Sequence, residues 1–254
     1  MLRRRSDKTR IPGDRAPRAL LNRLFLLLRT PRRGRGFWFG MAIDIIWPVI
    51  MGCTKPIWRG GENIPRTGPV LLAANHISFA DPITISAYTL GNGRIPRYLA
   101  RANLWQMPVV KWVMASGKHV PVQRGSISAS DAYHAGLNSL ADGHCLIVFP
   151  EATYTRDPNG WPMRGKTGIA KLALASGAPV VPIAHWGTHE VLPPGGKPQL
   201  IPRKTVHIHA GPPVDLSDLM SAEPSRQDLI KATERIMTAI TDSLSEIRGE
   251  RKPE

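Results

Sequence analysis

Two cysteines, Cys53 and Cys145, are all that the 254 residues carry, and neither sits in a Cys-x-x-Cys pair or a metal-ligand spacing. Their scarcity excludes a disulfide-built fold and a structural zinc, and it predicts a reducing, cytoplasmic setting. Acidic residues are also few: 19 Asp and Glu stand against 34 Lys and Arg, for a net charge of +15. No uninterrupted apolar run reaches the roughly 20 residues of a membrane-spanning helix. No secretory signal is expected, because the apolar run after the first arginines comes late and no small-residue cleavage site closes it. No Gly-x-Ser-x-Gly elbow occurs, which argues against a serine hydrolase working through an acyl-enzyme. Internal repeats are absent as well, and low-complexity sequence is confined to the basic amino-terminal arm.

What is present is a globular composition, with 42% hydrophobic and 21% charged residues. The chain is long enough for one α/β domain carrying an appended terminal segment. Its positive charge is uneven. Residues 1–36 hold 12 Lys or Arg against 2 Asp, a net +10, while the remaining 218 residues supply +5. Leu20, Leu21, Leu24, Phe25, Leu27 and Leu28 recur at helical spacing among Arg18, Arg23 and Arg29, which describes a basic amphipathic helix. A second apolar segment runs from Phe37 to Cys53, interrupted by Asp44 and Pro48. Two readings of these segments stand. Either they lie in a membrane interface, with arginines on lipid phosphates and Trp38 and Trp47 near the headgroups, or they form a helical hairpin packed on the core. The expected division is a basic interfacial arm over residues 1–54 and an α/β domain over 55–254.

Beyond residue 55, strands alternate with helices, which predicts a single sheet with helices against its faces. The apolar run Pro69–Ala74 reads as a buried strand, and Asp81-Pro82 as a helix start with Asp81 at the N-cap. His76 therefore falls on a strand-to-helix turn, with Asp81 five residues on. A carboxylate on one ring nitrogen fixes the tautomer and leaves the other nitrogen for the proton of a hydroxyl, which is the arrangement of a general base. A plain helix cap beside a core histidine satisfies the same spacing.

Two more polar groups end predicted strands: Arg124, after Val120-Pro121-Val122, and Glu151 with Thr153, after the strand ending at Phe149. Gly160–Thr167 matches the phosphate-loop pattern G-x-x-x-x-G-K-[ST]. Its preceding strand ends some eleven residues too early, and Pro162 lacks the N–H that such a cradle needs. It is read as a decoy, although Lys166 can meet a phosphate at a helix start. His185 and His189 have metal-like spacing without a third ligand and are assigned structural or loop roles. No metal site is expected.

At these turns the chain resembles the 1-acylglycerol-3-phosphate acyltransferase (PlsC-like) family of glycerolipid acyltransferases. Asn75, His76 and Asp81 match the family's N-H-x4-D. Gly117 through Val120-Pro121-Val122 to Arg124 matches its second motif. Phe149-Pro150-Glu151-Ala152-Thr153-Tyr154 matches F-P-E-G-T-R, and Val180-Val181-Pro182-Ile183 its fourth. The resemblance implies that His76, oriented by Asp81, deprotonates an acceptor hydroxyl. That hydroxyl then attacks the thioester of acyl-coenzyme A or acyl carrier protein, with no cofactor. Lysophosphatidate would become phosphatidate, with Asn75, Arg124, Glu151 and Thr153 at the acceptor. Two positions depart from the pattern: Ala152 replaces a glycine, and Tyr154 an arginine, so that Arg156, Arg164 or Lys166 would have to supply the missing charge. The expected partners are an anionic membrane surface, met through residues 1–53, the thioester donor and a lysophospholipid. The expected location is the cytoplasmic face of the cell membrane, peripheral or monotopic. Alternatives are an enzyme of the same fold acting on glycerol 3-phosphate or a lipid-linked sugar, and a non-catalytic module whose basic arm binds membrane or nucleic acid.

Overall fold

The computed structural model describes residues 30–122, 128–221 and 223–253. The basic amphipathic stretch at residues 20–29 and Arg124 lie outside the described residues. Among the described residues seven strands form one mixed sheet: β1 (Thr54–Arg59), β2 (Val70–Ala74), β3 (Pro96–Arg101), β4 (Val120–Val122), β5 (Cys145–Val148), β6 (Val180–Trp186) and β7 (Lys204–Ala210). Their order is β1-β7-β6-β2-β5-β3-β4. The five strands from β6 to β4 are mutually parallel, whereas β7 runs antiparallel to β6 and pairs in parallel with β1. The helices are α1 (Phe37–Cys53), α2 (Asp81–Gly91), α3 (Val110–Ser116), α4 (Ser128–Ala141), α5 (Gly168–Ser176), the short α6 (Thr188–Val191) and α7 (Arg226–Arg248).

The apolar run of β2 is explained by its place between β5 and β6, where all five of its residues are buried and both faces are covered. Successive side chains point to opposite faces. Leu71 and Ala73 join Leu146 and Val180 under Ile169, Leu172, Ile236 and Ile240 of α5 and α7. Val70, Leu72 and Ala74 join Ile147, Val181 and Ile183 under Ile85 and Tyr88 of α2. Helix α7 begins with a capping box, Ser225 and Asp228 binding each other's backbone N–H, and ends on Gly249 in the left-handed region.

Helix α1 coincides with the second apolar segment. Its inner side, Phe39, Ile43, Trp47, Ile50 and Met51, packs on Ala87 and Leu90 of α2. Trp47, expected near lipid headgroups, is instead 2% exposed and meets Trp58 edge to face at 6.2 Å. The correction follows from helical periodicity, because Trp47 shares a face with Ile43 and Ile50. Trp38, by contrast, is exposed, together with Phe37, Met41, Ile45 and Val49. None of the described helices is long and apolar enough to cross a membrane.

Candidate active site

The carboxyl ends of β6, β2, β5 and β3 lie side by side, and His76 with Asp81 after β2 meets Glu151 and Thr153 after β5 there. This is where open α/β sheets bind ligands. His76 follows β2, and its Nδ1 lies 2.7 Å from Asp81 Oδ2. The same oxygen accepts the backbone N–H groups of Ile77 and Ser78 at 2.7 and 2.8 Å. Asp81 is therefore the first residue of α2 and not its N-cap. Ala80 occupies the cap position, and no side chain caps the helix. The carboxylate turns back toward the turn that carries His76 because three donors converge there. Asp81 is wholly buried, which would raise its pKa, but the facing His185 and the hydrogen bond from His76 outweigh burial and hold it below the ordinary 3.8. It stays ionised, and an ionised carboxylate holds the proton of His76 on Nδ1. The remaining ring nitrogen, Nε2, is then the basic one.

The imidazole of His76 stacks on Phe149, with ring centroids 4.2 Å apart, and Tyr154 meets it edge-on at 6.2 Å. Tyr154 also contacts the exposed ring of Phe79 at 5.3 Å. Ala152, in the place of the motif glycine, has φ 59°, so the turn does require the left-handed region that glycine adopts without strain.

His76 lines an apolar cavity of about 470 Å³. Its walls come from α1 (Phe39, Ile43, Ile46, Trp47, Ile50) and from α2 (Ile83, Ala87, Leu90). Thr153 and Tyr154 also line it, and so does Arg101, the one lysine or arginine among the described residues that line it. Arg101 ends β3 and is exposed; the strand-end reasoning that singled out Arg124 applies equally to it. His119, in the same wall, is pushed down to about 3 by burial and by nearby Arg97, and so stays neutral.

Several expected acceptor-binding groups are engaged elsewhere. Asn75 is 1% exposed, and its side-chain amide pairs with the backbone of His185, Nδ2 donating to His185 O at 3.1 Å and Oδ1 accepting from His185 N at 2.9 Å. Glu151 is buried, and its two oxygens accept from His76 N at 3.1 Å and Met163 N at 2.9 Å. Burial raises the Glu151 carboxyl to about 7 despite these bonds. Both residues carry hydrogen-bonding groups that a sequence reader assigns to a ligand, whereas here a strand end needs them first. Arg156 and Lys166 are exposed and do not line the cavity. Arg164 lines a separate groove against α7.

The phosphate-loop look-alike is packed as a structural segment. Trp161 is 1% exposed, and the guanidinium of Arg248 lies between its ring and that of Trp186, at 4.1 and 4.2 Å. A Cβ on Gly165 would stand 2.9 Å from Met237 and Thr233, which leaves no room there for a phosphate. Among the described residues no group of three or more His, Cys, Asp or Glu could hold a metal ion.

Residues 55–186 match the family model described as Acyltransferase. Over 141 residues the chain is 30% identical to a chloroplastic 1-acyl-sn-glycerol-3-phosphate acyltransferase of Brassica napus, covering 55% of this chain and 39% of that protein. Over 196 residues it is 29% identical to the chloroplastic enzyme of the same name from Arabidopsis thaliana, covering 72% and 52%. The chain thus spans about half or less of the length of these relatives. The crystal structure of the 1-acyl-sn-glycerophosphate acyltransferase PlsC from Thermotoga maritima superposes with a TM-score of 0.59 at 22% identity, over 92% of this chain and 89% of that one. It has the same fold.

Proposed function

The chain belongs to the acyltransferase family, and on that footing we propose that it moves a fatty acyl group from a thioester to the free hydroxyl of lysophosphatidate, giving phosphatidate. The observation that carries this reading is His76, held by Asp81 at 2.7 Å while lining an apolar cavity large enough for an acyl chain. The acceptor hydroxyl gives its proton to His76 Nε2 as its oxygen bonds to the thioester carbonyl carbon. The carbon–sulfur bond then breaks, and the thiolate leaves with that proton. No cofactor enters beyond the thioester of coenzyme A or of acyl carrier protein. The acyl chain occupies the cavity between α1 and α2, and Arg101 offers its charge to the acceptor phosphate at the cavity rim.

The exposed side chains of α1, together with Met107, Val109 and Trp112, form the surface that meets the membrane. Trp38 and Trp112, 6.3 Å apart, link the two segments. The protein in this scheme lies on the cytoplasmic face of a membrane without crossing it.

The deciding experiment supplies purified protein in detergent with palmitoyl-coenzyme A and 1-oleoyl lysophosphatidate and follows thiol release. Release should depend on the acceptor and vanish in folded His76→Ala; full activity in that variant rejects the mechanism. Tyr154 in the place of the motif arginine favours a second reading, in which the acceptor is glycerol 3-phosphate or a lipid-linked sugar. Turnover of one of these in preference to lysophosphatidate, in the same assay, would select it.

A further inference from the structure

Beyond Ala74, β2 leaves the sheet among residues that are still largely buried, Asn75 fully and His76 in part, and buried peptide groups need partners. The ladder registers show what is available. Ala73 pairs with Val148 of β5 and Ala74 with Ile183 of β6. Counting on along the three strands brings Glu151, His76 and His185 level with one another, with His76 in the middle. The peptide joining Asn75 to His76 is then held from both sides. Its N–H, from His76, donates to Glu151 Oε1 at 3.1 Å, and its carbonyl, Asn75 O, lies 2.6 Å from His185 Nε2. A carbonyl can only accept, so Nε2 of His185 carries hydrogen. The other nitrogen, Nδ1, is buried with no hydrogen-bond partner, as fits a lone pair better than an N–H.

His185 has 0% exposure, and burial keeps it neutral against the pull of Asp81. Its Nε2 also stands 3.7 Å from Asp81 Oδ2, so the positive end of one N–H faces both the peptide leading into the base and the carboxylate behind the base. The Asn75 amide returns the contact by pairing with the His185 backbone.

We propose that His185 is a positioning residue for His76: with Glu151 opposite, it clamps the Asn75–His76 peptide and so sets the direction in which the His76 ring presents Nε2. The inference rests on His76 being the base, and its test is separable from that reading. An error of about 1 Å in a reacting group costs on the order of 10²-fold in rate. In His185→Leu, kcat with palmitoyl-coenzyme A and 1-oleoyl lysophosphatidate should therefore fall about 10- to 100-fold, with both KM values within about twofold of wild type. His185→Gln, whose amide nitrogen reaches the place of Nε2, should keep kcat within about threefold. Should the leucine variant fail to fold, His185→Asn, whose amide reaches only the place of Nδ1, takes its part with the same expectation. Independently of turnover, the downfield proton resonance of the His76–Asp81 hydrogen bond should shift or broaden in His185→Leu or His185→Asn and persist in His185→Gln. Wild-type kcat in a folded leucine or asparagine variant, an equal loss in the glutamine variant, or an unmoved resonance would overturn the inference. If His76→Ala is inactive while these variants are fully active, only the positioning role fails; if His76→Ala is itself active, the assignment of the base fails.

Discussion

Asp81 Oδ2 and His76 Nδ1 lie 2.7 Å apart, and that same oxygen holds the two backbone N–H groups of the intervening turn. One atom thus fixes both the tautomer of His76 and the loop that carries it. Asp81→Asn keeps the shape but puts an amide where an acceptor of three bonds is needed. Activity should drop by about 10²- to 10⁴-fold, the usual range for a lost general base, in a steady-state thiol-release assay. A loss of less than tenfold would mean that the carboxylate's charge is not required.

The two buried carboxyls of the site should have opposite effects on stability as pH changes. Glu151 is raised in the fold from 4.5 to about 7, so the folded protein binds more protons than the unfolded chain between those values. The stability it contributes is complete below pH 4.5 and fades as pH rises through about 7. The thermal midpoint of wild type should fall relative to that of Glu151→Gln across that interval. Asp81 is lowered from 3.8, so its contribution is present above that pH and is lost as the medium becomes more acid. A wild-type minus Glu151→Gln difference that grows from pH 4.5 to 7 would contradict the Glu151 assignment.

Ala42, on α1, lines the cavity. Ala42→Phe should shorten the space open to an acyl chain, and each methylene denied burial costs about 0.8 kcal/mol, or roughly fourfold. Thioesters of graded length, assayed as kcat/KM, should show long chains losing far more than short ones. A uniform loss across all lengths would place the chain outside this cavity.

Ile45 and Trp112 are 63% and 52% exposed. The double variant Ile45→Asp, Trp112→Asp should sediment less with anionic vesicles while keeping its turnover of short-chain, water-soluble substrates. Unchanged sedimentation would move the membrane-facing surface elsewhere.

Much of this arrangement was legible in the linear chain because strand ends in a parallel sheet are marked by apolar runs that stop at polar residues. The alternation of elements, the limits of α1, the capping box of α7 and the His76–Asp81 pair all follow from local pattern. The use of Asn75 and Glu151 was not legible, since their partners, the His185 backbone, His76 N and Met163 N, become neighbours only when β6, β2 and β5 are set side by side. Arg101 shows a related limit. It sits at a strand end, the position expected from sequence for Arg124, but only the assembled sheet shows which cavity it borders. Trp47 was misplaced because an apolar helix has two sides, and composition does not say which one the core takes.

Helix α1 forms a thin partition, with the cavity lining on one side and exposed apolar side chains on the other. In the proposed scheme a fatty chain passes from one side to the other without entering bulk water. The catalytic rate should then follow the mole fraction of substrate in the bilayer, so that diluting the lipid with inert phospholipid at constant bulk concentration slows the enzyme.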